Sequence, residues 1–108
     1  MDEVNEKSTH FIDAAFTDED GAPVTPSSGT YRIDDESPDG TCAEIKADTA
    51  FAPATPTHRF EVEPDENRIL NSSKRYEVRL VTVTIVYNTN KSHSAEYRYR
   101  VKNLNKVT

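Results

Sequence analysis

Residues 70–104 constrain this chain most. They hold its densest apolar run, Val78, Leu80, Val81, Val83, Ile85, Val86 and Tyr87. A polar break follows at Asn88-Thr89-Asn90-Lys91-Ser92, and then Tyr97, Tyr99 and Val101 alternate with charged residues. β-Branched and aromatic residues at period two favour strands, and Asn, Thr and Ser favour a turn. The segment therefore predicts a β-hairpin against which the other strands must pack. It carries one irregularity. Tyr76, Val78 and Leu80 are apolar at even positions, whereas Val81, Val83, Ile85 and Tyr87 are apolar at odd ones. A one-residue phase change turns every side chain to the opposite face. Either a bulge lies near Leu80 and Val81, or the middle of the strand is buried on both faces.

Upstream, short alternating segments recur between turn signals. Ile12, Ala14 and Phe16 share one face of a strand that starts at His10, and Asp18-Glu19-Asp20-Gly21 closes it as a turn. Thr30–Asp34 points Tyr31 and Ile33 inward. Thr41–Ala47 places Ala43, Ile45 and Ala47 on one face and Cys42 on the other. Asp48–Pro56, rich in Ala, Thr and Pro, reads as a connection. Arg59–Glu63 buries Phe60 and Val62, and 65–71 fits one helical turn. Six to seven strands with turns between them predict an all-β chain, a single β-sandwich. Residues 1–9 are polar, with Val4 alone after Met1, and predict a flexible N-terminal tail; residues 10–108 form the domain.

Composition narrows the function classes. One cysteine, Cys42, allows no intrachain disulfide, and its simplest role is that of a small buried hydrophobe. No apolar leader and no run of eighteen apolar residues occurs, so the expectation is a soluble protein made in a cytoplasm, without a membrane partner. His10, His58 and His93 lack ligand-like spacing, so no metal and no cofactor is expected. Asp35-Glu36-Ser37-Pro38-Asp39-Gly40 mimics the first half of a calcium loop, but Lys46 stands where the bidentate Glu is due. That hexapeptide reads as an acidic turn. No nucleophile–base pair suggests catalysis, so an enzyme is not expected.

Charge is unevenly divided. Residues 1–66 hold seventeen acids and four bases, a net of −13, while residues 67–108 hold two acids and nine bases, a net of +7. Two readings stand side by side. The bases of the hairpin pair internally with acids such as Glu61, Glu63 and Glu77. Alternatively they form a basic sheet face for docking on other proteins. On the second reading the candidate partner-docking residues are Arg79, Arg98, Arg100 and Lys102. Specific nucleic-acid binding is not expected, because the neighbouring tyrosines alternate with the bases and point into the core.

Two resemblances sharpen these readings. Leu70 precedes Tyr76 by six residues, and Val78 and Leu80 follow. This spacing resembles the tyrosine corner of fibronectin type III and related immunoglobulin-like sandwiches, in which the tyrosine hydroxyl bonds to upstream backbone. Ser72 departs from the proline often found there. More widely, the chain resembles small proteins of tailed bacteriophages and prophages. The stretches that carry the likeness are Phe16-Thr17-Asp18, Gly21-Ala22-Pro23-Val24-Thr25-Pro26, Thr30-Tyr31-Arg32-Ile33-Asp34-Asp35, Asn67-Arg68-Ile69-Leu70-Asn71 and Glu96-Tyr97-Arg98-Tyr99-Arg100-Val101-Lys102-Asn103-Leu104. Residues 36–55 match none of it. The resemblance implies an immunoglobulin-like, non-enzymatic virion component, present in multiple symmetric copies: a capsid decoration, a neck piece, or a tail or fibre adaptor. Its partners would be capsid, portal, neck or tail proteins, and it would assemble in the host cytoplasm. A carbohydrate- or cell-surface-binding β-sandwich module is the alternative.

Overall fold

The computed structural model describes residues 2–70, 73–88 and 91–104. Seven strands run in order: β1 (Asp2–Asn5), β2 (His10–Ala15), β3 (Ser28–Glu36), β4 (Cys42–Phe51), β5 (Thr57–Val62), β6 (Tyr76–Tyr87) and β7 (Lys91–Lys102). One 3₁₀ turn, Pro64–Asn67, precedes β6, with Pro64 entering it rather than merely ending β5. The strands form two sheets, a five-stranded one ordered β1-β7-β6-β3-β4 and a two-stranded one, β2-β5. The chain is all-β, with unequal layers packed face to face and no closure into a barrel.

The period-two patterns decide which face each strand buries. Ile33, Val81, Tyr99 and Val101 of the large sheet meet Ile12, Phe60 and Val62 of the small one. A second cluster, Phe16, Ile85 and Tyr87, continues the core toward the β6–β7 turn. Burying such side chains stabilises by about 1.5–3 kcal/mol each, which is what offsets the cost of ordering so lean a chain. The turn after β2 forms as its residues dictate. The Asp18 carboxylate accepts the backbone N–H of Asp20 and of Ala22 (2.9 and 3.0 Å), and Gly21 takes φ +81°.

Three expectations need correction. Residues 1–9 do not form a flexible tail throughout. β1 pairs in parallel with β7, Asp2 opposite Tyr99 through Asn5 opposite Lys102, and Val4 is buried in the main core. A single Val suffices to dock a four-residue strand whose other residues are exposed. The stretch 48–56 is not all connection, because β4 continues to Phe51. Phe51 lies across Gly29, where a Cβ would come within 2.5 Å of its ring, so the glycine makes room for the aromatic. Cys42 is exposed rather than buried, since it stands opposite Glu36 on the outer face. Of the two readings of β6, the second holds: its register against both β3 and β7 is unbroken, and Leu80 and Val81, on opposite faces, are both buried. Its odd residues all face inward, which places Glu77 and Arg79 in the interior with Val81. Tyr76, Val78 and Leu80 belong to the outer face instead. The phase change in the sequence is thus an apolar stripe on each face, offset along the strand.

Candidate functional site: the outer face of the large sheet

The small sheet covers only one side of the five strands, so the other side is where charges collect. Directly opposed residues share a face, and the register gives two rows: Arg98, Leu80, Asp34 and Arg100, Val78, Glu36. Lys102 stands opposite Tyr76, and Glu3 of β1 opposite Arg100. Arg98 donates to Glu36 through both Nε (2.8 Å) and Nη2 (3.1 Å). Because the two belong to neighbouring rows, this bidentate bridge crosses β6 diagonally. Leu80, on the outer face beneath this crossing, is only 7 % exposed. Arg98 holds the Glu36 carboxyl below the usual carboxylate range, chiefly by that hydrogen bond. Arg100 places its guanidinium 4.4 Å from the Tyr76 ring centroid and its Nη2 3.0 Å from Glu3. Lys102 Nζ lies 4.0 Å from the same carboxylate. On β3, Arg32 donates to Asp34 through Nε and Nη2 (3.0 and 2.9 Å).

The structure therefore brings Arg98, Arg100 and Lys102 together in one column and gives each an acidic neighbour. It does not bring Arg79 with them. Arg79 is fully buried, its Nη1 2.5 Å from Asp35 and its Nη2 3.0 Å from Glu77 and 2.5 Å from the Arg68 carbonyl oxygen. It is removed from the docking set, because an odd residue of β6 cannot reach the outer face. Burial pushes the Asp35 carboxyl up, against the pull of Arg79. Glu77 also accepts the Leu70 N–H at 2.9 Å.

The division of charge along the chain acquires a structural meaning here. The basic hairpin β6–β7 is inserted between β1 and β3, both from the acidic part of the chain. Arg98–Glu36, Arg100–Glu3, Arg79–Asp35 and Lys91–Glu19 each join a base of the hairpin to an acid upstream. Apart from the buried Arg79–Asp35 pair, these bridges lie at the surface, where water and salt screen them and they add little stability. Their effect is orientational: acidic, basic, apolar and acidic columns succeed one another from β1 to β3.

The proposed corner behaves differently from the tyrosine corner it resembles. Leu70 is 44 % exposed, and the Tyr76 hydroxyl has no hydrogen-bond partner among the described residues. Ser72 lies outside them. The buried tyrosine pin is Tyr99, whose hydroxyl donates to Asn67 Oδ1 (2.7 Å), while Asn67 Nδ2 donates to the Ser8 carbonyl oxygen (2.7 Å). The alternation that turns Tyr99 inward is visible in the sequence; its polar partner is not.

The acidic hexapeptide 35–40 is divided by the fold. Asp35 belongs to β3 and faces Arg79, whereas Asp39 accepts the Thr41 N–H and hydroxyl in the turn (3.0 and 2.7 Å). No group of three metal-ligating side chains occurs among the described residues, and no helix is long and apolar enough to cross a membrane. Two hollows flank the sheet. One, of about 530 Å³, is bordered by Glu36, Pro38, Lys74 and Tyr76. The other, of about 180 Å³, runs between β2 and β7 and is lined by Ile12, Ala14, Phe16, Val83, Ala95 and Tyr97. No protein-family model matches the chain, and neither a curated protein nor a solved structure matches it.

Proposed function

We propose that this chain is a non-enzymatic structural component of a tailed-phage virion, built on an immunoglobulin-like sandwich and acting through protein–protein contacts. The observation that carries the reading is the outer face of the five-stranded sheet, with Arg98, Arg100 and Lys102 in one half-exposed column flanked by Glu3 and Glu36. Alternating columns of charge steer encounter and fix orientation, while apolar contact supplies affinity. The strand order supports the immunoglobulin-like assignment. β7, β6 and β3 occupy the places of strands G, F and C, β4 extends that sheet, and β2 with β5 stand for B and E. The sequence likeness to small phage proteins supplies the particle; capsid, portal, neck and tail proteins are the partner classes. A carbohydrate-binding module would present aromatic rings to solvent. Here Tyr31, Phe51 and Phe60 pack on one another, with ring centroids 4.8–6.2 Å apart, and the half-exposed Phe11 ring lies under the Arg59 guanidinium.

The test adds wild-type protein, or Arg98→Gln/Arg100→Gln protein, to particles lacking it, at low and high salt. Gln is used because a reversed charge would face Glu36 and Glu3 and unsettle the fold itself. Wild-type occupancy should fall as salt rises, and the double variant should load poorly at low salt. Equal loading of both proteins at every salt concentration would remove this face from the docking reaction.

A further inference from the structure

The five-stranded sheet has two edges of different character. At the β4 edge two register shifts against β3 interrupt the ladder, at Tyr31/Ile33 and Ile33/Asp34. Such irregularities blunt an edge against further pairing. The β7 edge is straight, and β1 covers only Tyr99–Lys102 of it. Among the described residues nothing pairs with residues 91–97 on the side away from β6. This free length contains no proline.

The hydrogen bonds fix which backbone groups point outward. Glu6 N–H donates to the Lys102 carbonyl oxygen, and Leu104 N–H donates to the Glu6 carboxylate, both on the β1 side. Asn103 N–H donates instead to Arg75, on the β6 side. Even residues of β7 therefore aim their N–H and C=O away from β6, and Ser92, Ser94 and Glu96 present theirs without a strand to receive them.

We propose that this edge pairs with the same edge of a second copy, antiparallel about a two-fold axis at Ser94. Directly opposed residues must share a face, so an axis normal to the sheet passes through a residue pair. Charge and sterics select which one. An axis at Glu96 would oppose two carboxylates. An axis at Ala95 would set the Glu96 side chains diagonally together and drive Lys91 into the place where β1 of the other copy starts. An axis at His93 would use only five residues. At Ser94 each Glu96 meets Ser92 of the other copy, each His93 meets Ala95, and Lys91 lies over Tyr97, with no like charges opposed. Continuity also favours this occupant, since the added strand extends the edge that β1 already occupies and closes the open side of the groove at Ala95 and Tyr97. Two five-stranded sheets become one of ten strands. Pairing over 91–97 is smaller than the roughly 20–30 residues a side of a standard interface, so the dimer forms at high local concentration. The inference goes beyond the virion reading and does not depend on it.

Sedimentation equilibrium of the full chain should show mass rising from 12.2 kDa toward twice that value with concentration. Ser94→Pro removes an N–H that faces the open edge and not β6, so it should hold the mass at one chain with an unchanged far-UV circular dichroism spectrum. In a Cys42→Ser background, Ser94→Cys should oxidise to a linked dimer, because hydrogen-bonded antiparallel pairs place Cα atoms about 5.5 Å apart. Ser92→Cys and Glu96→Cys should link when mixed and not alone. A single-chain mass up to about 1 mM, a dimer indifferent to Ser94→Pro, or linkage by Glu96→Cys alone would each overturn the proposal. Growth into open aggregates would do the same, because a two-fold pair closes on itself.

Discussion

Arg79→Met tests the interior of the structure most directly. The substitution keeps length and apolar volume but removes the charge that Asp35, Glu77 and the Arg68 carbonyl share. Asp35 would then stand in the interior without its guanidinium partner. Breaking a buried ion pair from one side destabilises by about 3–5 kcal/mol, because the remaining charge is buried without its counter-charge. A domain of this length has about 5–15 kcal/mol in all, so the variant loses about a fifth of its stability or more. With a urea slope of about 1.5 kcal/mol/M, the unfolding midpoint should fall by about 2–3 M at unchanged slope. The variant should also recover on mild acidification. Burial already raises the Asp35 carboxyl against the pull of Arg79; without that pull it stays raised above its unfolded value, so the native state takes up a proton and gains stability as pH falls. A midpoint shift under about 0.5 M, flat with pH, would show that Arg79 is not held as described. A docking residue on an exposed face would give that result.

Tyr99→Phe removes the hydroxyl that donates to buried Asn67 and should cost about 1–3 kcal/mol, whereas Tyr76→Phe should leave a urea midpoint unchanged; the reverse pattern would restore Tyr76 as the corner. Gly29→Ala should lower the thermal midpoint, since the Phe51 ring it meets at 2.5 Å is enclosed by Phe16, Tyr31, His58 and Phe60 and has little room to move. Burial lowers the His10 pKa below 6.5, and its Nε2 is enclosed without a partner. The unfolded chain therefore binds the proton first, so stability present above pH 6.5 declines as pH falls below it. His10→Phe should flatten that first decline in a pH series of melts. A second decline below pH 4.5 should persist, because Glu19, held down to about 2 mainly by its hydrogen bond from Lys91, is stabilising only while ionised.

Periodicity makes most of the strands legible in the sequence, because each buries one face only and the alternation is written in Ile12, Phe60, Val62, Tyr99 and Val101. What it conceals are residues whose burial depends on a partner. Arg79 and Glu77 read as surface on their own, and only the interior Asp35 opposite makes their inward position tenable. Reading odd positions from 77 to 87 as one continuous face would place them correctly, at the cost of accepting charge in the core. β1 is hidden for the opposite reason: one Val among polar residues carries no period at all. The charged columns of the outer face are partly visible as a partition of acids and bases, but their pairings require the strand order, which no local pattern encodes.

The parallel clasp of β1 on β7 also bears on how the chain comes to fold. The residues it joins lie almost a full chain length apart. Contacts of such long sequence separation close late and slowly, because the entropy of the intervening loop is lost before any contact rewards it. During synthesis the first strand has no partner until the last has emerged. Val4 must wait without a pocket while β2 to β6 are made. A ribosome-bound chain stalled before Lys91 would thus leave both the Val4 site and the whole β7 edge of β6 open, and release of the final strand becomes the step that commits the molecule to its native state.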